Sequence, residues 1–322
     1  MKLSPDSRLL KQLHAATVHL PSSELANLTG LTAALIPSKI IELRHAGYQI
    51  DESPLLGYRL IAAPDRLIAD DLSSRLEACK LVREILVFEE TDSTNHLVTE
   101  AGHHGAAEGL VIFAETQKAG RGRLGRKWES SPRQGLWFSI LMRPGFALPS
   151  WTRLTTWAAI GVATGIEAAT GCQTAIKWPN DIYIGGKKVV GILSESHADK
   201  EPFAVVGIGI NINQTDFPEP ISTTATSLRI ASGSPLDRTQ VAVKILMGLD
   251  YWSQKLETGF PEIIAAAEAR SYLRGRRVEM TGSNESLIGI AGELDPSGGL
   301  QVITLDGKQI TVTSGEVSVS AH

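Results

Sequence analysis

Residues 117–133 read QKAGRGRLGRKWESSPR, and no other segment limits the possible folds of this chain as much. The segment lies between two apolar, strand-forming runs, Leu110–Thr116 and Gly135–Leu141, so it must join two strands. It carries six of the chain's 31 Lys and Arg against a single acid, Glu129. Gly120, Gly122 and Gly125 have the GxGxxG spacing of a dinucleotide fold. That fold needs an amphipathic helix opening at the third glycine. The residues after Gly125 are polar instead, Arg126-Lys127-Trp128-Glu129-Ser130-Ser131, and the run stops at Pro132. A plain solvated connection would have little use for three glycines interleaved with arginines. The segment reads instead as an anion clamp that orders around its ligand. Its glycines let backbone N–H groups come close, and its arginines offer planar forks to phosphate or carboxylate.

Three regions flank and contain this clamp. Residues 1–67 pattern as short helices and a hairpin. Leu9, Leu10 and Leu13 share one face over Arg8–Ala16, and Ser22 suits an N-cap for a helix near Glu24–Leu28. A longer helical stretch runs to Ala46 with Gly47 at its C-cap, and strands come next near Tyr48–Ile50 and Gly57–Leu60. This is the layout of a winged helix–turn–helix. Residues 68–270 alternate β-branched runs, such as Val189–Leu193 and Val205–Ile212, with helical patterns, the clearest being Asp237–Leu256. Gly185-Gly186 marks a two-residue hairpin, and Asp237 with Gln240 suits a capping box. Residues 271–322 read as short strands around Pro296–Gly299 and Asp306-Gly307, which suits a small β-barrel. The fold class is α+β with a mixed central sheet.

Bulk properties narrow the function. A net charge of −4 excludes a protein coated in basic residues for nucleic acid. Cys79 and Cys172 stand far apart and outside any zinc spacing, as expected of free thiols in a reducing compartment. The first residues lack an apolar signal core, and the most apolar stretch, Trp157–Ala169, is too short to span a bilayer, so a cytoplasmic location is expected. His103-His104 has no third ligand at a sensible spacing and reads as a polar loop.

AGRGRLGRKW closely resembles the GRGRxGRxW signature of biotin–protein ligases, in particular the bacterial bifunctional ligases that also repress the biotin operon. Further motifs stand in the expected order. They are Asp92-Ser93-Thr94-Asn95, Lys177-Trp178-Pro179-Asn180-Asp181, Lys188–Leu193 and Gly207–Asn211. The resemblance covers all three regions. It implies a catalytic domain related to class II tRNA synthetases and an SH3-like C-terminal barrel. It also implies activation of biotin by ATP, with Mg²⁺, to biotinyl-5′-AMP, and transfer to a lysine of a biotin carboxyl carrier protein. Family repressors pair through the central sheet, so a homodimer is expected.

The resemblance assigns roles residue by residue. Arg121, Gly122 and Arg123 would wrap the biotinyl part, and loss of Arg123 would release adenylate early. Lys177 would be the cation at the biotin carboxylate and α-phosphate. Arg126, Trp128, Lys188 and Asn211 fall to the nucleotide, Trp128 by stacking near adenine. Ser93, Thr94 and Asn95 supply short donors and acceptors suited to the neutral ureido ring, with a helix N-cap as the alternative role of Ser93 or Thr94. Gln117 matches a biotin-contacting position. Gly191, Gly207 and Gly209 interrupt strands where a ligand or another backbone approaches closely. Lipoate, the other vitamin of the superfamily, is disfavoured by the arginine-rich loop.

Operator DNA is the remaining expected partner, with Thr32, Ser38 and Lys39 as candidate contacts. Between Thr32 and Ile40 the would-be recognition helix offers only Lys39 as a cation, and Pro37 would cost ~3 kcal/mol within a helix unless the helix starts there. Residues 1–67 carry seven Lys/Arg against six Asp/Glu, a thin footprint for phosphates. A ligase whose helix–turn–helix has lost DNA binding therefore stands beside the bifunctional reading.

Overall fold

The structure, a computed structural model, describes residues 3–198, 200–281 and 286–319. The outer bounds Met1 and His322 of the expected regions lie outside the described residues. The chain opens with α1 (Pro5–Ala15), α2 (Ser22–Thr29) and α3 (Ile36–His45), then an antiparallel hairpin of β1 (Gln49–Ser53) and β2 (Gly57–Ala62). Leu9, Leu10 and Leu13 of α1 bury against Leu25, Ile36, Ile40 and Tyr48, giving this small unit its own core. The start of the second helix differs from expectation. Pro21, not Ser22, occupies the N-cap of α2. The third helix starts at Ile36 because Pro37, lacking an N–H, fits only its first turn.

This unit docks on α4 (Ala69–Arg75). Asp71, almost fully buried, lies 2.8 Å from His14 Nε2 and accepts from Arg75 Nε at 2.9 Å. Asp70 accepts from the hydroxyls of Ser4 and Ser7 at 2.5 and 2.6 Å.

The centre is a seven-stranded sheet. In chain order come β3 (Glu84–Thr91), α5 (Thr94–His103), β4 (Leu110–Gln117), β5 (Gly135–Met142), α6 (Arg153–Thr170), β6 (Ala175–Lys177), β7 (Asp181–Ile184), β8 (Lys187–His197) and β9 (Phe203–Asn211). The short α7 (Leu228–Ser232), α8 (Arg238–Ser253) and α9 (Phe260–Glu268) complete the region. Strand order is β3-β4-β5-β9-β8-β7-β6; β3–β4 is parallel and the other pairs antiparallel, so the sheet is mixed. Side chains alternate between its faces. Phe113, Phe138, Ile208 and Ile192 point to one face, where α6 and α8 cover them with Trp157, Ile160 and Leu249. Ile112, Leu141 and Val205 point to the other, where α5 covers them only in part with Val98. Asp237 caps α8 through the Gln240 N–H at 3.0 Å, as expected, but the helix ends at Ser253 rather than Leu256. His103 is the last residue of α5 rather than part of a loop, and His104 caps the helix in the turn beyond it.

Five antiparallel strands complete the chain: β10 (Arg277–Thr281), β11 (Ser286–Leu294), β12 (Leu300–Thr304), β13 (Gln309–Val312) and β14 (Glu316–Val319), in the order β13-β12-β11-β10-β14. Trp178 of the central region inserts into their core beside Leu273 and Val278, and its indole donates to Gly298 O at 2.9 Å. Both cysteines are free thiols, and no helix among the described residues is long and apolar enough to cross a membrane.

Candidate active site

Strand register creates the site. Gly209 pairs with Trp137 on one side and with Gly191 on the other, while Gly207 pairs with Ser139 and Leu193. Directly paired residues share a face, so the glycines remove side chains from the middle of the sheet on the face that α5 leaves uncovered. A cavity of about 480 Å³ stands over this floor. The N-terminal turn of α5, the 117–131 segment, the 177–181 turn, the 214–225 segment and Glu316-Val317 of the C-terminal sheet line it.

The Gly/Arg segment folds back on itself above the floor. Trp128 N donates to Gly120 O at 2.9 Å, and Gly122 N donates to Arg126 O at 2.7 Å. Leu124 (φ 55°) and Arg133 (φ 55°) adopt left-handed backbone, a strain that concentrates at functional loops. The Trp128 indole lies directly on the glycine floor. A Cβ at Gly191 would meet its ring at 2.6 Å, and one at Gly209 would meet its Nε1 at 2.4 Å. Lys188 Nζ sits 5.4 Å from the Trp128 ring centroid. Trp128 Nε1 has no hydrogen-bond partner among the described residues, leaving a buried donor in the cavity.

One end of the cavity is polar and neutral. Thr94 N donates to Gln117 Oε1 at 2.9 Å, and Gln117 Nε2 donates to Ser130 Oγ at 2.9 Å. Thr94 Oγ1 lies 2.8 Å from Ser139 Oγ, which donates to Asn95 Oδ1 at 2.6 Å. Asn95 Nδ2 donates to Glu195 at 2.6 Å, and Glu195 also accepts from Arg121 at 3.1 Å. Ser93 occupies the N-cap position of α5 without a side-chain capping bond, so its hydroxyl does not take the capping role.

The other end is charged, and most of its cations are already matched. Arg126 pairs with Glu316, Lys127 with Glu129 and Lys188 with Asp181. The Arg126 hydrogen bond holds the Glu316 carboxyl below its ordinary value. Arg123 donates to Asn180 Oδ1 at 2.9 Å and to Gly315 O at 3.1 Å, joining the segment to the C-terminal sheet. Lys177 has no carboxylate at ion-pair distance among the described residues; its Nζ lies 3.4 Å from Tyr183 OH. Burial pushes the Lys177 ammonium below the ordinary lysine value; Asp181 opposes this and Lys188 reinforces it. Burial also pushes Tyr183 up to about 12, so its phenol stays neutral.

All the sequence-expected biotin and nucleotide residues, from Ser93 to Asn211, border this one cavity. Asn211 is the most committed of them, since its amide donates to Thr226 O at 3.1 Å and accepts from Gln214 at 3.3 Å. The close approaches expected at Gly191, Gly207 and Gly209 occur, but side chains make them: Trp128 at the first and last, Asn95 at Gly207. Thr32, Ser38 and Lys39 lie away from this cavity on the N-terminal unit, where Lys39 is bonded to Asp6 (3.2 Å) and Glu42 (2.7 Å). Sequence reasoning missed Ser139, Ser130 and Glu195. The available signal for Ser139 was a lone polar residue in the otherwise apolar GLWFSILM.

The sequence profile of the biotin/lipoate A/B protein ligase family matches residues 87–213, and that of the biotin protein ligase C-terminal domain matches residues 274–320. The chain is 35% identical over 298 residues to the bifunctional ligase/repressor BirA of Bacillus spizizenii, spanning 91% of this chain and 92% of that protein. The chain belongs to the biotin protein ligase family. A second member, the biotin–[acetyl-CoA-carboxylase] ligase of Mycobacterium tuberculosis, is 33% identical over 73% of this chain and 88% of its own length. Among solved members, the biotin protein ligase of Aquifex aeolicus in complex with biotin and ATP superposes with a TM-score of 0.66 at 32% identity, covering 73% of this chain and 99% of that one.

Proposed function

We propose that this biotin ligase activates biotin with ATP and then passes the biotinyl group to a lysine of a biotin carboxyl carrier protein. The observation that carries the reading is the two-ended cavity under the Gly/Arg segment. A neutral hydrogen-bonding end suits the ureido ring, and a cationic end suits the carboxylate and phosphates.

In the first step a biotin carboxylate oxygen attacks the α-phosphorus, and the bond to pyrophosphate breaks. Two anions must meet, so positioned cations that offset their repulsion dominate the barrier. Lys177 is suited to this because no carboxylate among the described residues stands at ion-pair distance from it. Arg123 and Arg126 are held by Asn180, Gly315 O and Glu316, partners that an incoming phosphate would replace. Arg121 and Gly122 would close over the biotinyl part, and Ser93, Thr94, Asn95 and Gln117 would take the ureido ring. Gly191 and Gly209 keep the floor flat. Trp128 and Lys188, with Asn211 behind them, would border the nucleotide. Mg²⁺ would arrive with ATP and reduce the charge on its phosphates. In the second step the acceptor amine attacks the acyl carbon and AMP leaves, a reaction that chiefly needs positioning. Pyrophosphate release with ATP, Mg²⁺ and biotin, and not with lipoate, tests the reading; the reverse preference would refute it.

The same proposal divides the chain at 1–67, 68–270 and 271–322. The α2–turn–α3 pair with its hairpin supports a winged helix–turn–helix, and the five-strand antiparallel order supports an SH3-like barrel. A homodimer would form through the central sheet, where Ser194–His197 of β8 run past the end of β7 and offer an open edge. The Bacillus relatives' names support a second role as repressor on operator DNA. One observation favours the ligase-only alternative: both α3 cations are internally paired, Lys39 as above and Arg44 with Glu52 at 3.0 Å. A gel shift on biotin-operon DNA with biotin and ATP separates the two.

A further inference from the structure

Glu195 and Ser139 have no part in the reaction just described, yet they terminate and carry the hydrogen-bond chain behind its neutral end. The direction of that chain can be worked out from atom types. A carboxylate only accepts, so Asn95 must turn its Nδ2 toward Glu195, 2.6 Å away. Arg121, 3.1 Å from the same carboxylate oxygen, holds it in place. The Asn95 Oδ1 then faces Ser139, whose only proton must go to it across 2.6 Å. The 2.8 Å contact between Ser139 Oγ and Thr94 Oγ1 needs a proton as well, and only Thr94 is left to supply it. Gln117 Oε1 is a second acceptor within reach of Thr94 Oγ1, at 3.2 Å, but a proton sent there would leave the Ser139 and Thr94 oxygens 2.8 Å apart with no proton between them, so the shorter Ser139 contact takes it. Every hydroxyl proton in the chain therefore points toward Glu195. The Thr94 hydroxyl keeps only lone pairs for the cavity.

We propose that Glu195, acting through Asn95 and Ser139, fixes Thr94 as a hydrogen-bond acceptor and so makes the site select a ring bearing N–H donors. The inference deepens the biotin-activation reading and rests on it. A cyclic urea carries two N–H donors, whereas the dithiolane ring of lipoate carries none. Ser139 and Asn95 are buried at 0% and 4% exposure, so the inner links of the chain are shielded from water, while the Glu195 side chain at its outer end is 28% exposed. Gly207 makes the arrangement possible, since a Cβ there would stand 2.0 Å from Asn95 Oδ1. Glu195 and Ser139 are positioning residues, because neither needs to touch the vitamin.

The test is steady-state pyrophosphate release by the full chain with ATP, Mg²⁺ and either biotin or lipoate. In Ser139→Ala and Glu195→Ala the Thr94 hydroxyl is free to rotate. The KM for biotin should rise about tenfold, the factor for one ligand hydrogen bond of about 1.4 kcal/mol. The KM for ATP and kcat should hold, and the preference for biotin over lipoate should narrow. Glu195→Gln keeps an acceptor oxygen for Asn95 and should restore most of the affinity. A biotin KM unmoved in folded alanine variants overturns the inference while leaving the activity intact. Equal losses in Glu195→Ala and Glu195→Gln, or biotin and ATP constants moving together, also overturn it. A wild-type chain silent with biotin would sink the activity reading itself, and the inference with it.

Discussion

Replacing Arg238 with methionine should destabilise the central region severely. Arg238, the first residue of α8, is 1% exposed, and its guanidinium forks onto Glu115 of β4, itself 2% exposed, at 2.5 and 3.2 Å. It also donates to Gly135 O at 3.3 Å and to Asp65, whose exposure leaves that arm weak. Without the arginine, the Glu115 carboxylate keeps, among the described residues, only the Leu67 N–H at 2.7 Å. A buried carboxylate stripped of its partner typically costs about 3–5 kcal/mol. With a urea m-value of roughly 3 kcal/mol/M, the midpoint should fall by about 1–2 M. Removing both charges has a different outcome. In Glu115→Leu/Arg238→Met no unpaired ion remains, and the chief new defect is the orphaned Leu67 N–H, worth about 1–3 kcal/mol. The double variant should therefore recover much of the loss. Urea unfolding monitored by tryptophan fluorescence reads this directly, because Trp137 and Trp157 lie in the same region. A single-variant shift below about 0.3 M, or a double variant no more stable than the single, would refute the reasoning.

Lys177 should give kcat/KM an alkaline limb below the ordinary lysine value of 10.5, because burial disfavours its ammonium; Lys177→Arg should abolish that limb, as a pH–rate profile would show. Gly207→Ala should raise the biotin KM about tenfold or more while ATP binding holds, since its Cβ would displace the Asn95 amide; titration calorimetry with each ligand separates the two. The Asp71 carboxyl is held below the ordinary aspartate value of 3.8; burial opposes this, and the His14 and Arg75 contacts outweigh it. It therefore stabilises docking of the N-terminal unit at pH values above about 3.8, and this is lost as pH falls through its depressed folded value. Asp71→Asn should weaken that docking by about 1–3 kcal/mol at neutral pH, detected as faster proteolysis at residues 62–68.

Much of the catalytic apparatus was legible from residue types. Glycines with arginines between two strands announce an anion clamp, because few other combinations give close backbone approach and planar cations together. Lys177 and Gln117 were named with their motifs. Ser139 and Glu195 were not, for a physical reason. Each lies in a strand whose neighbours are set by pairing: the β5–β9 register brings Ser139 next to Gly207, and the packing of α5 against the sheet brings Asn95 to Glu195. Lys39 shows the opposite limit. Its charge is plain in the sequence, but its neutralisation by Asp6 requires α1 to pack beside α3.

By itself, then, the sequence determined which elements form and where the chemistry must gather. Local periodicity, turn glycines and a concentration of like charge all act within a few residues of chain. Tertiary structure alone decided what fills the glycine floor, which cations stay unpaired and how Arg238 came to be sealed against Glu115. Those outcomes depend on contacts between segments far apart in the chain, where burial sets the strength of a charge and strand register sets its partner.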